Sequence, residues 1–156
     1  MEEYLYKQPV DIDSHGQLGS ILFYLLEQYG EKETESIMES IAKDIYKTLI
    51  DKIKINGIVE FEKHFKEIMT LEKGVYKMKR DSETLTIEVK KCPAIQHARE
   101  HMERRNMKIP GVFCKLCTEV VNKVIARESG CKFLVEYNQD EGKCIQKFWR
   151  NSNDCS

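Results

Sequence analysis

The hydrophobic period of the chain first changes at Gly74, and that change limits the folds open to it. Upstream, apolar residues recur at spacings of three and four, which buries one stripe of an α-helix; just downstream they alternate, which buries one face of a strand. Leu18, Ile21, Leu22, Leu25 and Leu26 mark a first helix, with Ser14 as its candidate cap and Gly30 as its end. Ile37, Ile41, Ala42, Ile45, Leu49 and Ile53 mark a second over about 31–54, stopped by Gly57. Phe61, Phe65, Ile68 and Met69 mark a third over about 58–73, with Gly74 at its C-terminal end.

Past Gly74, Val75 to Arg80 and Thr84 to Lys90 alternate apolar and polar residues around Asp81-Ser82, as a β-hairpin does. Cys92-Pro93 then ends the second strand and opens a helix running to about Asn106, because proline fits the first helical position, where its missing N–H has no partner. Lys108-Ile109-Pro110-Gly111 forms a loop, a further helix spans about 112–128, and Ser129-Gly130 closes it. Cys131 to Tyr137 and Lys143 to Trp149 flank the turn residues Asn138 to Gly142 as a second hairpin. The pattern predicts an α+β fold in which a helical N-terminal half packs on a small antiparallel sheet of two hairpin-like pairs. A chain of 156 residues is the size of one domain, with its helical part over about 14–73 and a cysteine-bearing α+β part over about 74–150.

Composition narrows the function classes. The chain has 25 basic and 26 acidic side chains, interspersed, and its basic runs Lys77 to Arg80 and Arg104-Arg105 are short; a phosphate-tracking groove is not expected, nor a nucleic-acid partner. No apolar run is long enough to span a bilayer, so no membrane association is expected. Met1-Glu2-Glu3-Tyr4 lacks the basic-then-apolar build of a signal peptide, which predicts a cytoplasmic protein with reduced thiols.

Five of the six cysteines form one ordered run: Cys92, Cys114, Cys117, Cys131 and Cys144, with His97 and His101 between the first two. Cys92 sits at a helix mouth, where unpaired N–H groups and the positive dipole end favour thiolate, although a small buried residue at the same corner is an equally ordinary reading. Cys114 and Cys117, one α-helical turn apart, are expected to put both sulfurs on one face. His97 and His101 share a helix face, but His-Ala-Arg-Glu-His lacks the glutamate directly after the first histidine that a zincin needs. His97, the closer to Cys92, is the candidate base, orienter or ligand, while His101 is expected to be solvated. His15 and His64 read as structural or exposed, and Cys131 and Cys155 as packing or tail residues. Two chemistries remain open. In one, Cys92 or Cys117 is a nucleophile or metal ligand with His97 as proton carrier. In the other, Cys92, Cys114, Cys117 and Cys144, with or without His97, hold zinc or an iron–sulfur cluster, or line a ligand pocket.

Lys91-Cys92-Pro93, the Leu116-Cys117 that opens a helix, and Gly142-Lys143-Cys144-Ile145-Gln146-Lys147-Phe148, taken with the order of elements, resemble the L-2-amino-thiazoline-4-carboxylic acid hydrolase-like family. The likeness spans about 18–149, with identity confined to those three places, and Thr118 and Glu119 stand where members often carry an aspartate. It implies that Cys92, Cys117 and Cys144 are the family's three cysteine positions and that the substrate is a small molecule with a cyclic C–N or C–S bond. A fainter similarity is to 4-vinyl reductase-type small-molecule-binding domains, which share late cysteines and an α+β layout.

Overall fold

The computed structural model describes residues 12–150, with side chains from Gln17 onward. The tail after Arg150, Cys155 included, and the His15 side chain lie outside the described residues. The described residues form an α+β fold of five α-helices, one π-helical turn and a four-stranded antiparallel sheet. Among the described residues no helix is long and apolar enough to cross a membrane.

Helix α1 (Ile12–Ile45) has already begun before Ser14 and bends at Gly30, whose φ of 77° and ψ of 175° are not helical. Two helical arms therefore meet where the glycine stands, since only a residue without Cβ adopts that conformation cheaply. The buried Thr34 hydroxyl donates to the Gly30 carbonyl at 2.7 Å and secures the second arm just past the bend. The second apolar stripe is broken once more, at Tyr46, before α2 (Lys47–Asn56) continues it. Gly57, at φ 83°, ends α2 with its N–H on the Ile53 carbonyl at 2.8 Å. After α3 (Val59–Leu71) the left-handed residue is Lys73, at φ 58°, and Gly74 follows it, its N–H returning to the Met69 carbonyl at 2.8 Å. Gly74 packs closely there: an added Cβ would press on the flexible end of Met69, Cε at 2.3 Å, and on Pro93 Cδ at 3.1 Å.

Strands β1 (Val75–Arg80) and β2 (Thr84–Lys91) form the first hairpin, and β3 (Lys132–Asn138) and β4 (Lys143–Trp149) the second. Asp81 closes the first turn by accepting the N–H groups of Glu83 and Thr84 at 3.0 and 2.8 Å, and those donors hold its carboxyl below the usual range. Pairing of β2 with β4 joins the hairpins in the order β1-β2-β4-β3, with Leu85 opposite Phe148 and Val89 opposite Cys144. Helix α4 (Pro93–Glu103) packs on α1, and α5 (Val121–Glu128) returns the chain to β3.

One apolar cluster joins the helices to the inner sheet face, with Leu22, Ile53, Phe61, Leu85, Ile87 and Phe148 among its members. At its centre Phe61 of α3 stacks on Phe148 of β4, centroids 4.4 Å apart and rings parallel, and Phe133 meets Phe148 edge-on at 6.5 Å. Both stacked rings are 1% exposed, so truncating either leaves a cavity that the sheet cannot close. Phe61→Ala is expected to cost about 3–5 kcal/mol in urea unfolding. A loss below about 1 kcal/mol would mean that the stack does not join α3 to the sheet.

Candidate functional site

The site begins at the corner between β2 and α4. Cys92 is the N-cap of α4, with extended backbone (φ −81°, ψ 117°) and Pro93 in the first turn. Its N–H donates to the Gly142 carbonyl at 2.9 Å, which fastens the β3–β4 turn to the strand–helix corner. Gly142 is left-handed at φ 65°, and an added Cβ would lie 3.0 Å from Ile95 Cγ2. Glycine is thus demanded both by conformation and by the approach of α4.

Cys117 arrives from the other side. Residues Lys115–Val120 form a π-helical turn leading into α5. A π turn closes i to i+5 rather than i to i+4, so a spacing of three residues covers less of a revolution than in an α-helix. Cys117 lines a cavity that Cys114 does not, while both thiols stay within electrostatic reach of Cys92. The π segment is held in place at two points. Gln139 of the β3–β4 turn accepts the Cys114 N–H at 2.9 Å and donates to the Pro110 carbonyl at 2.9 Å, and Lys115 pairs with Glu31 and Glu35 of α1 at 2.6 and 2.9 Å. Cys144 comes from the inward face of β4, where Gln146 Nε2 donates to its sulfur at 3.3 Å and Gln146 Oε1 accepts from Asn122 at 3.1 Å.

Cys92, Cys117 and Cys144 line one cavity of about 130 Å³ beneath α3. Its apolar walls include Phe61, Phe65, Met69, Val121 and Ile125, and its polar positions include Tyr46, His64, Glu72, Asn122 and Gln146. Cys114 lies close enough to Cys92 and Cys144 for their charges to raise its pKa. His97, half-buried on α4, is not among the lining residues, and His101 is buried rather than solvated as expected. Cys131 packs in the core. Among the described residues no three histidine, cysteine, aspartate or glutamate side chains are grouped to hold a metal ion.

The lining histidine is His64, which the sequence reading had as structural or exposed. It follows Phe61 by three residues and precedes Ile68 by four, on the apolar stripe of α3, and that spacing was the available signal. Burial lowers its pKa against the opposing charge of Glu67, which favours neutral imidazole. Tyr46 meets it edge to face, centroids 5.7 Å apart at 84°.

Burial dominates the thiol electrostatics. It pushes Cys117 up to about 12, with the charges of Cys92, Cys114 and Glu72 adding to the rise, and Cys144 up to about 11, where the Gln146 hydrogen bond opposes it. For Cys92 burial also raises the pKa, and the amides of Ile95 and Ala94 at the mouth of α4 pull downward without reversing it. The expected activation of Cys92 by the helix terminus is real in direction and smaller than the cost of desolvation.

No family model, curated protein or solved structure matches the chain.

Two outcomes are expected. Gly142→Ala, forced into φ > 0 against Ile95, should lose more than about 1 kcal/mol of stability in urea unfolding; an unchanged midpoint would contradict the account of that turn. The raised thiols also set a pH dependence. Below the unfolded-state value of about 8.5 both states keep the proton, and above it the unfolded chain releases it first, so stability falls as pH rises. The fall should continue toward pH 11–12, where Cys144 and Cys117 titrate in the folded protein, and should be shallower in Cys117→Ala. Equal slopes in the two proteins would refute the burial of that thiol.

Proposed function

We propose that the chain is a small-molecule-binding module, and that the cavity shared by Cys92, Cys117 and Cys144 is its ligand site. The observation that carries this reading is that three cysteines distant in sequence meet at one largely apolar hollow. The hollow is half-open rather than sealed, and the three cysteines are themselves partly exposed, so a ligand can reach them from the surface. At about 130 Å³ the hollow takes a group of about one ring against the sulfurs. Protonated thiols are polarisable, weakly hydrogen-bonding walls, well suited to a soft heterocycle. The Asn122–Gln146–Cys144 chain adds oriented polar groups on the sheet side.

A second, hydrolytic reading is favoured by the Ala94 and Ile95 amides at Cys92 and by the imidazole of His64 on the same cavity. On this reading Cys92 adds to the ring carbon of a cyclic C–N or C–S bond, and a histidine carries the proton to the departing heteroatom. His64 takes the role that the sequence gave to His97. The resemblance to the L-2-amino-thiazoline-4-carboxylic acid hydrolase-like family points the same way.

Titration with single-ring heterocycles such as thiazole and 2-aminothiazoline, followed by amide chemical shifts, tests the binding reading. The shifts are expected to centre on Cys92, Cys117 and Cys144, and Val121→Phe, which fills the hollow, should weaken binding at least tenfold. Shifts scattered over the surface, or affinity untouched by Val121→Phe, would overturn it. Ring opening of the thiazoline that is lost in both Cys92→Ala and His64→Ala would instead establish the hydrolytic reading.

A further inference from the structure

Charges interspersed along the sequence are sorted in space by the strands. Successive side chains of a strand point to opposite faces, and one face of this sheet buries Leu85, Ile87, Phe133 and Phe148 against the helices. The other face receives Lys77 and Lys79 from β1, Lys90 from β2, Lys132 from β3, and Lys143 and Lys147 from β4, all exposed. Glu88 and Glu136 stand among them, so these positions carry four more positive than negative charges in a chain whose formal net charge is −1. On the helical side Lys43, Lys63, Lys66, Lys115 and Lys123 each pair with a carboxylate. Among the described residues Lys77, Lys132 and Lys147 of the sheet make no ion pair. Apolar side chains stand between these lysines: Leu134 lies opposite Lys147, and Trp149 opposite Lys132. Leu134 and Ile145 are 51% and 46% exposed, so no described helix covers the middle of this face. Toward the β3–β4 turn it is hollowed into a depression of about 440 Å³ bordered by Lys90, Lys143 and Ile145.

We propose that this outer sheet face is a docking surface for an acidic polypeptide segment that also carries apolar side chains. Carboxylates of the partner meet the unpaired lysines, and its apolar residues cover Leu134, Ile145 and the partly exposed Trp149. Charge complementarity sets the sign of the partner, and the rest of the face sets its kind. A nucleic-acid strand needs rings on which successive bases stack, whereas the centre of this face holds Thr86, Lys147 and Ile145, with Trp149 in the end row opposite Thr84 and Lys132. Glu88 and Glu136 flank Ile145 from the two neighbouring strands and would repel a run of phosphates. A polypeptide can meet the same two carboxylates with backbone N–H groups.

Fluorescence anisotropy on the full-length protein tests this with two fluorescein-labelled probes, a peptide of four Glu-Leu-Glu-Glu repeats and an oligothymidine of equal charge. The peptide is expected to bind, and more tightly than the oligothymidine. The double variant Lys132→Glu/Lys147→Glu should weaken the peptide at least tenfold, and Leu134→Gln at least threefold. Lys47→Glu/Lys52→Glu, which makes the same change in net charge at exposed positions of α2, should leave it within twofold. All of these side chains are exposed, so the urea midpoints of the variants should stay near that of the wild type. The docking surface is overturned if the peptide does not bind, if the sheet and helix double variants weaken it equally, or if Leu134→Gln leaves it unchanged. Tighter binding of oligothymidine, lost in Lys132→Glu/Lys147→Glu, would overturn it in favour of a nucleic-acid surface.

Discussion

The antiparallel seam between β2 and β4 is the contact on which the rest of the molecule depends. Each hairpin is local in sequence and would form its own ladder; only the pairing of Thr84–Val89 with Cys144–Trp149 makes them one sheet. That seam sets Phe148 opposite Leu85 beneath Phe61, and Cys144 opposite Val89, three residues before Cys92. A slip of one residue would turn Cys144, Gln146 and Phe148 outward together, because side chains alternate along a strand. The bond from the Cys92 N–H to Gly142 then locks the register at its far end. The site follows from the ladder, with the π turn supplying the third sulfur.

The same packing that gathers the thiols holds them neutral. A helix N-terminus, which favours thiolate when it is exposed to solvent, competes at Cys92 with desolvation and loses. At Cys117 burial, nearby cysteines and Glu72 all act in one direction. Neutral thiols beside aromatic and aliphatic walls make a soft, weakly polar surface, which is the physical ground for preferring binding over nucleophilic attack in the resting protein. A hydrolytic role for Cys92 would need a bound molecule to help carry the charge that burial disfavours.

Much of this was legible in the sequence wherever a local rule governs. The change of period at Gly74 gave both halves of the α+β fold, Cys92-Pro93 gave the strand–helix corner, and the alternation of Cys144, Gln146 and Phe148 gave an inward face. What failed did so where tertiary contacts decide. The π turn at Lys115–Val120 carries no composition signal, so nothing in the sequence marked Cys117 rather than Cys114 as the residue that lines the cavity. His97 had proximity in sequence to Cys92, whereas His64 had the better position, seated on the buried stripe of α3 and brought to the cavity by a helix nearly thirty positions upstream of Cys92. Tyr46 falls four residues after Ala42 and four before Ile50, a buried-face spacing that marks it once the histidine opposite is known.

The central claim is that Cys92, Cys117 and Cys144 border a single hollow. Crystals of the protein pressurised with xenon test it most directly, because xenon occupies apolar cavities of this size and scatters strongly. One xenon atom in van der Waals contact with all three sulfurs, beneath Phe61 and beside Val121, is the expected result. A filled interior with no xenon there, or the three sulfurs found in separate parts of the molecule, would contradict the account.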